Sequence, residues 1–505
     1  MPLKDITINK QQGGLGRPLP GKDHYSALLF YSSTLPSGFD SSNRIKKGFS
    51  LKDFETLGLV GDFSDETKAT GTYTFTNVGA AGDSVEIKFT EPNGKVVSLG
   101  KYTRTSSDTT VTLLATSYKN FINLYTYVHG YSASNVAGVL TYTVRKGLGV
   151  AANSGSPVTA TIVGTIAGTL VQPSGGVASK WAPMNYHISE FFRMQPKGVL
   201  WVGIYDVPGG DYDFAEATTM INFAEGEIRQ LGVHVISTTF ITGMVTALEV
   251  VANTAEVEHK NCSIVLGCDI TGMALSSLTD LAIMDSEHVS VTIGQDGAAK
   301  GWGLWKATGK SMTDLGTVLG TIALASVAED IAHVGRFNIS NGIEHDVAAF
   351  ANGVLVKDQS TSLMDNLDTL RYIFQRKFIG RSGTYFNDSH TATTFASDYA
   401  YIENNRSIDK AIRLLRAALL PDVKGQLFLN SDGTLQDVTV AHFESTGDAA
   451  LDQMLRDSEL SQRQTIVDPV QDVLGTSKIV VQEKLIPVAI GREIVVNIGF
   501  VKSLS

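Results

Sequence analysis

GVLWVGIYDV (Gly198–Val207), FAEATTMINFAEGEIRQLG (Phe214–Gly232) and VHVISTTF (Val233–Phe240) follow one another with little between them. The first is a continuous apolar run, the pattern of a strand buried on both faces. The second places Phe214, Ala217, Ile221 and Ile228 in helical phase and is closed by Gly232, and the third reads as the next strand. A further helix over about 243–259 and the strand CSIVLGCDI (Cys262–Ile270) continue the alternation. Strands alternating with helices predict a sheet whose strands are largely parallel.

The texture changes on either side of this core. Between about Lys68 and Gly176, Thr, Val, Gly and Ser dominate, and alternating runs recur: TYTFTNV, SVEIKFT, KVVSLGKYT, VLTYTVRK and VTATIVGTI. Turn signals such as Pro92-Asn93-Gly94 separate them, which predicts a β-sandwich or barrel, with one helix in LLATSYKNFINLY. Upstream, HYSALLF (His24–Phe30) reads as a strand, and SLKDFETLGLVGDF as a short helix ended by Gly58. The β-rich stretch is therefore read as an insertion. Downstream come a long helix from about Asp398 to Leu420, stopped by Pro421, and a helix in DAALDQMLRDSELS. KIVVQEKLIPVAIGREIVVNIGFV then supplies two alternating strands broken at Ile490-Gly491. The fold class is α+β and multidomain: an N-terminal arm (1–21), a mixed α/β body (22–67 and 177–370), an inserted β-sandwich (68–176) and a C-terminal α/β domain (371–505) ending in an arm strand.

The 505 residues carry 41 basic and 51 acidic side chains, a net charge of −10, with 43% apolar and 18% charged residues. That mix excludes bulk disorder, and the acidic balance argues against a nucleic-acid coat. Two cysteines exclude a disulfide scaffold. MPLKDITINK lacks the apolar core of a secretory signal, and the long uncharged stretches are too rich in Thr, Ser and Gly to span a bilayer. The expected setting is the cytoplasm, or a particle assembled there, with no membrane insertion.

No motif carries convincing chemistry. GLWKATGKS (Gly303–Ser311) has five residues between Gly303 and Gly309 where a phosphate loop needs four, and Trp305 would sit in the cradle. His259, Cys262 and Cys268 lack further metal ligands at suitable spacing and read as a strand with inert thiols. Asp388, Ser389, His390 and Asp398 gather in NDSHTATTFASDY without a nucleophile elbow, and read as turn and cap residues. Asp211 and Asp213 fall short of a calcium loop. No catalytic, cofactor-binding or metal-binding residue is assigned, and no cofactor is expected; a cytoplasmic α/β enzyme with a β-sandwich binding domain stays open as the competing class.

GTYFNDSHTATTFASDYAYIENNRSIDKAIRLLRAALLP resembles the C-terminal domain of contractile tail sheath proteins of phages and related injection machines. The order of features carries the likeness: Thr391–Thr394, the aromatic and NNR segment Tyr399–Arg406, a long helix, then paired strands around Ile486-Pro487-Val488. The stretch from GDSVEI through LLATSYKNFINLY to glycine-rich sequence is similar to the small β-domain common in sheaths. The resemblance implies a structural subunit that polymerises into a helical tube around an inner tail tube and contracts to drive that tube through a cell envelope. It also implies a virion tail assembled in the host cytoplasm, with baseplate and tail terminator proteins as further partners and no direct contact with nucleic acid. The sheath of a non-phage injection or secretion system is the alternative.

Two sets of residues follow as candidates. Ile6 and Ile8 alternate in DITIN, and Ile494, Val496, Ile498 and Phe500 alternate at the other end, as edge-seeking strands do. Gly13, Gly14 and Gly16 make a tether on which the first strand swings. Such arms suit strand addition to a neighbour's sheet, including the strand near Val480. On the long helix, Ile408, Ile412, Leu415 and Leu419 form one stripe, while Arg406, Lys410, Arg413 and Arg416 lie opposite. A basic stripe in an acidic protein, on a helix that the resemblance turns toward the inner tube, is expected to contact that tube. The insert, entered at Thr67 and left at Gly176–Val177, is expected to project outward.

Overall fold

The computed structural model describes residues 21–501. At its centre lies a seven-stranded sheet. Its strand order is Tyr372–Ile373, Val289–Thr292, Ser263–Asp269, Gln230–Thr239, Tyr25–Tyr31, Val199–Tyr205 and Ile45–Gly48. The first six run parallel and the last is antiparallel. Ser263–Asp269 is buried at every residue and Val199–Tyr205 at all but the last, which is why both read as unbroken apolar runs.

Helices cover both faces. Ala215–Phe223, Gly243–Val257 and Thr361–Thr369 pack on one side through Met220, Leu248 and Leu367. Trp181–Met194, Leu315–Leu324 and the short Leu51–Thr56 pack on the other through Phe191, Leu319 and Phe54. Leu315–Leu324 crosses its neighbour so closely that a Cβ on Gly316 would lie 2.2 Å from the His187 carbonyl oxygen. The expected Phe214–Gly232 helix is shorter: it ends at Phe223, and Glu225 and Gly226 take left-handed φ values of 52° and 70° that cannot continue a helix. Ile228 still reaches the core from the following turn, and Gly232 lies within the next strand.

The chain leaves and rejoins this body through a bridge between Thr67 and Val177. Residues between them form two antiparallel sheets. One holds four strands (Ser132–Val136, Val139–Thr143, Thr70–Asn77, Ala167–Ser174) and the other three (Val96–Thr103, Ser84–Thr90, Val158–Val163). With the helix Val111–Leu124 they enclose a core of their own around Phe75, Ile87, Tyr118 and Leu140. Ser132–Val136 and Ala167–Ser174 escape sequence reading because SASNV and AGTLVQPS barely alternate. Asp65, at the junction, accepts hydrogen bonds from the Lys180 backbone N–H (2.7 Å) and Ser179 Oγ (2.5 Å), so it caps the Trp181–Met194 helix.

The C-terminal part departs from expectation in two places. A boundary at residue 371 cuts the body, because Tyr372–Ile373 is the edge strand of its sheet and Gln375–Arg376 pairs with Tyr385–Phe386 beneath it. Beyond these lie the helices Ile402–Leu419 and Asp437–Arg456 and a hairpin of Leu460–Ile466 with Gln482–Pro487, packed around Leu451, Met454 and Phe443. Of the two closing strands, only Gln482–Pro487 is paired. Residues 492–501 run on without a strand partner among the described residues.

Candidate assembly site at the chain ends

The Ile402–Leu419 helix is turned the opposite way from its sequence pattern. Its buried residues include Glu403, Asn405, Arg406, Ser407 and Asp409, while Ile408, Ile412, Leu415 and Leu419 are only half-buried. Arg406 is 4% exposed. It donates to the carbonyls of Ser326 (3.0 Å), Ala325 (3.2 Å) and Asp23 (3.5 Å). Lys410 Nζ pairs with Asp23 (2.8 Å) and Glu459 (2.7 Å), and Arg413 pairs with Asp23 at 3.2 Å. The expected tube-facing stripe therefore needs correction: Arg406, Lys410 and Arg413 are engaged inside the subunit, because buried cations must find carboxylates or carbonyls. Arg416 alone of the four is exposed, and it has no ion pair among the described residues.

Burial governs the charges here. It pulls Arg406 down to about 10, partly offset by Asp23. Burial pushes the Asp23 carboxyl up, but the hydrogen bond and charge of Lys410, then Arg413 and Arg406, leave it below its ordinary value.

A second cluster lies at the start of the same helix. Arg492 donates from Nε to both carboxylate oxygens of Asp388 (3.0 and 3.1 Å) and from its terminal nitrogen to Glu403. Asp330 faces it at 3.6 Å, and its guanidinium carbon stands 3.5 Å from the centre of the Tyr401 ring. Burial, then the neighbouring Glu403 and Asp388 charges, pushes the Asp330 carboxyl up to about 8. Beside the cluster runs a cleft of about 710 Å³ between residues 488–494 and the 326–336 loop.

Beyond Arg492 the chain presents apolar side chains to water. Ile494 is 85% and Ile498 95% exposed, with Val496 and Phe500 exposed beside them. The hairpin Leu460–Ile466/Gln482–Pro487 forms a sheet of two strands, so among the described residues each strand has an edge without a strand partner, although the Thr465 N–H donates to Asp448. Ile6, Ile8, Gly13, Gly14 and Gly16 lie outside the described residues.

The remaining motifs resolve as structure. Lys300–Thr308 is a helix that ends on Gly309 at φ +66°, not a phosphate loop. Ser389 Oγ donates to Glu403 (2.6 Å) and His390 Nε2 bonds Asp368 (3.0 Å), so neither partners the other. Cys262 and Cys268 are buried, and burial pushes both thiols up. No group of three or more metal-ligating side chains occurs among the described residues, and no described helix is long and apolar enough to cross a membrane. Sequence reading assigned no role to Asp23, Asp330, Glu403, Glu459 or Arg492, and took Asp388 for a turn or cap residue where it binds Arg492. Arg492 carried a usable signal, as half of the charged pair Arg492-Glu493 between Gly491 and an apolar run.

Residues 272–390 match the family described as DUF2586, N-terminal domain, and residues 398–505 match DUF2586, C-terminal domain. No curated protein matches the sequence. Among solved structures, the helical sheath of the anti-feeding prophage in its contracted state aligns over 63% of this chain and 81% of that one, at 17% identity and a TM-score of 0.44. Sheath proteins are among the solved structures it resembles. The sheath tail protein from Listeria innocua aligns over 94% of both chains at 12% identity and a TM-score of 0.40. That from Desulfitobacterium hafniense aligns over 96% of this chain and 100% of the other, at 11% identity and a TM-score of 0.37.

Proposed function

We propose that the protein is a structural subunit of a contractile sheath. Subunits polymerise into a helical tube around an inner tube, and contraction drives that tube through a cell envelope. One observation carries the reading: an extended apolar run, Ile494–Val501, without a strand partner among the described residues, leaves a body that has a two-stranded sheet whose outer edges have no strand partner among them either. Such a run satisfies its backbone by adding to a neighbour's sheet. A donor–acceptor contact of this kind is heterologous and extends into a lattice unless it closes into a ring.

The energetics favour many weak links. About five backbone hydrogen bonds contribute roughly 1 kcal/mol each, and each buried apolar side chain about 1.5–3 kcal/mol. Ordering the strand costs about 1–2 kcal/mol per residue, so one link is marginal and a mesh of them holds. Neighbours joined this way can slide between packings without separating. In this reading Ile6 and Ile8, tethered by Gly13, Gly14 and Gly16, form the second arm. Arg416 faces the inner tube, baseplate and terminator proteins close the two ends, and the insert projects outward. Replacing Ile494, Val496, Ile498 and Phe500 together by Ser should leave the circular dichroism of the subunit unchanged and abolish polymers in negative-stain images. Normal tubes from that variant would contradict the reading.

A further inference from the structure

The two charged clusters share one helix face. Glu403, Arg406, Lys410 and Arg413 stand at intervals of three, four and three residues, which keeps them on a single stripe. Glu403 lies in the first turn, where the helix dipole favours an anion, and the cations follow toward the other end. From Glu403 to Lys410 the axis advances about 10 Å. At the acidic end the stripe takes Arg492, where residues 492–501 leave the body. At the basic end it takes Asp23, close to the first of the described residues. Lys410 also takes Glu459, the residue before the first hairpin strand.

A second connection runs between the two ends. Arg406 holds the carbonyls of Ala325 and Ser326, and Asp330, four residues on in the same loop, faces Arg492. Ser326 Oγ in turn donates to Glu459 at 3.4 Å. The loop and the helix thus form two parallel ties between the same pair of clusters.

We propose that the Ile402–Leu419 helix is a two-ended clamp, whose cationic end fixes the root of the N-terminal segment and whose anionic end fixes the root of the C-terminal tail, so that loosening one root loosens the other. The parts are unusual enough to need a role. Three carboxylates converge on one guanidinium, and two cations, Lys410 and Arg413, pair with Asp23 and Glu459 while Arg406 reaches the Asp23 carbonyl, in a helix whose apolar side chains are left half-buried. Burial of so many charges is costly and adds little net stability over an apolar core; it does supply directional contacts at chosen points. A pull on either chain end then passes along a rigid helix to the other end, bypassing the apolar core of the body. The clamp goes beyond the sheath reading and does not depend on polymerisation.

Tryptic cleavage after Arg492 tests it on the full chain, because the enzyme needs that side chain free of Asp388 and Glu403. Initial rates at this bond are read by mass spectrometry, with cleavage after the exposed Lys478 as the internal reference. Glu403→Gln should raise the rate at Arg492 at least tenfold. Asp23→Asn, at the far end of the helix, should raise it several-fold with the Lys478 rate unchanged. An unchanged rate in Glu403→Gln would show that Arg492 is not held, and an unchanged rate in Asp23→Asn would show that the two ends are independent; either overturns the clamp. If Glu403→Gln is cleaved within the core strands, Asp388→Asn, which removes a different carboxylate from Arg492, replaces it with the same expected outcome.

Discussion

Helices Leu315–Leu324 and Ile402–Leu419 both turn their main faces inward, and they are held there by opposite means. The first buries Leu315, Val318, Leu319 and Ile322 in the core against the central sheet. The second buries Glu403, Arg406 and Asp409 and ties them to three other chain segments. Apolar burial is non-directional and roughly proportional to area. Ionic burial stabilises little on balance but depends sharply on each partner being present. The body is therefore built to stay folded, and the helix beneath the chain ends is built to hold particular points.

Removing one member of the ionic set should have the largest effect. Arg406→Ala leaves the carbonyls of Ala325 and Ser326 without their donor, at about 1–3 kcal/mol each, and empties the space of a buried side chain, so it should cost about 3–5 kcal/mol in urea unfolding. Leu319→Ala leaves a cavity and should cost about 2–5 kcal/mol. The contrast sharpens when partners are removed together. Lys410→Met combined with Asp23→Asn should cost less than the sum of the single changes, because the two side chains pair directly at 2.8 Å, whereas Leu319→Ala with the distant Leu248→Ala should add. Additive behaviour in the ionic pair would break the comparison.

The pH response separates the two regions as well. Asp330 titrates at about 8 in the folded chain, against an ordinary 3.8, because burial and then the Glu403 and Asp388 charges oppose its ionisation. Above about pH 4 the unfolded chain has lost a proton that the folded chain keeps. Stability linked to this group is thus complete at lower pH, declines as pH rises and is lost beyond about 8. Asp330→Asn should flatten that decline in urea titrations spanning about pH 5 to 9. A slope identical to that of the parent protein would contradict it.

The smallest change in stability belongs to Arg416→Glu, an exposed site that should move unfolding by no more than about 0.5 kcal/mol. In the proposed assembly the same change should still lower the amount of inner tube retained by the sheath, most clearly at low salt. Full retention at low salt would remove Arg416 from the contact.

The parallel sheet was legible because strands buried on both faces write unbroken apolar runs, as in CSIVLGCDI. The inserted sheets were legible where Ser84–Thr90 alternates and illegible where Ser132–Val136 does not. Tyr372–Ile373 was hidden because a two-residue edge strand inside LMDNLDTLRYIFQ leaves no period to detect. The inward face of Ile402–Leu419 was misread for a physical reason: a charge pattern shows that a side chain needs partners, and water is only the commonest of them. Arg406, Lys410 and Arg413 found theirs at Asp23, Glu459 and the Ala325–Ser326 carbonyls, distant in sequence. The tail from Ile494 onward shows the converse. Its alternation announced a strand, and its partner is not in its own chain among the described residues.

Electron microscopy of the purified full-length protein, concentrated in low salt and stained, tests the central claim most directly. The account predicts tubes or stacked rings built from one repeating subunit, with the extended tail of each lying on the hairpin of the next. A monodisperse population of particles the size of a single 54.1 kDa chain, unchanged across concentration and salt, would contradict it.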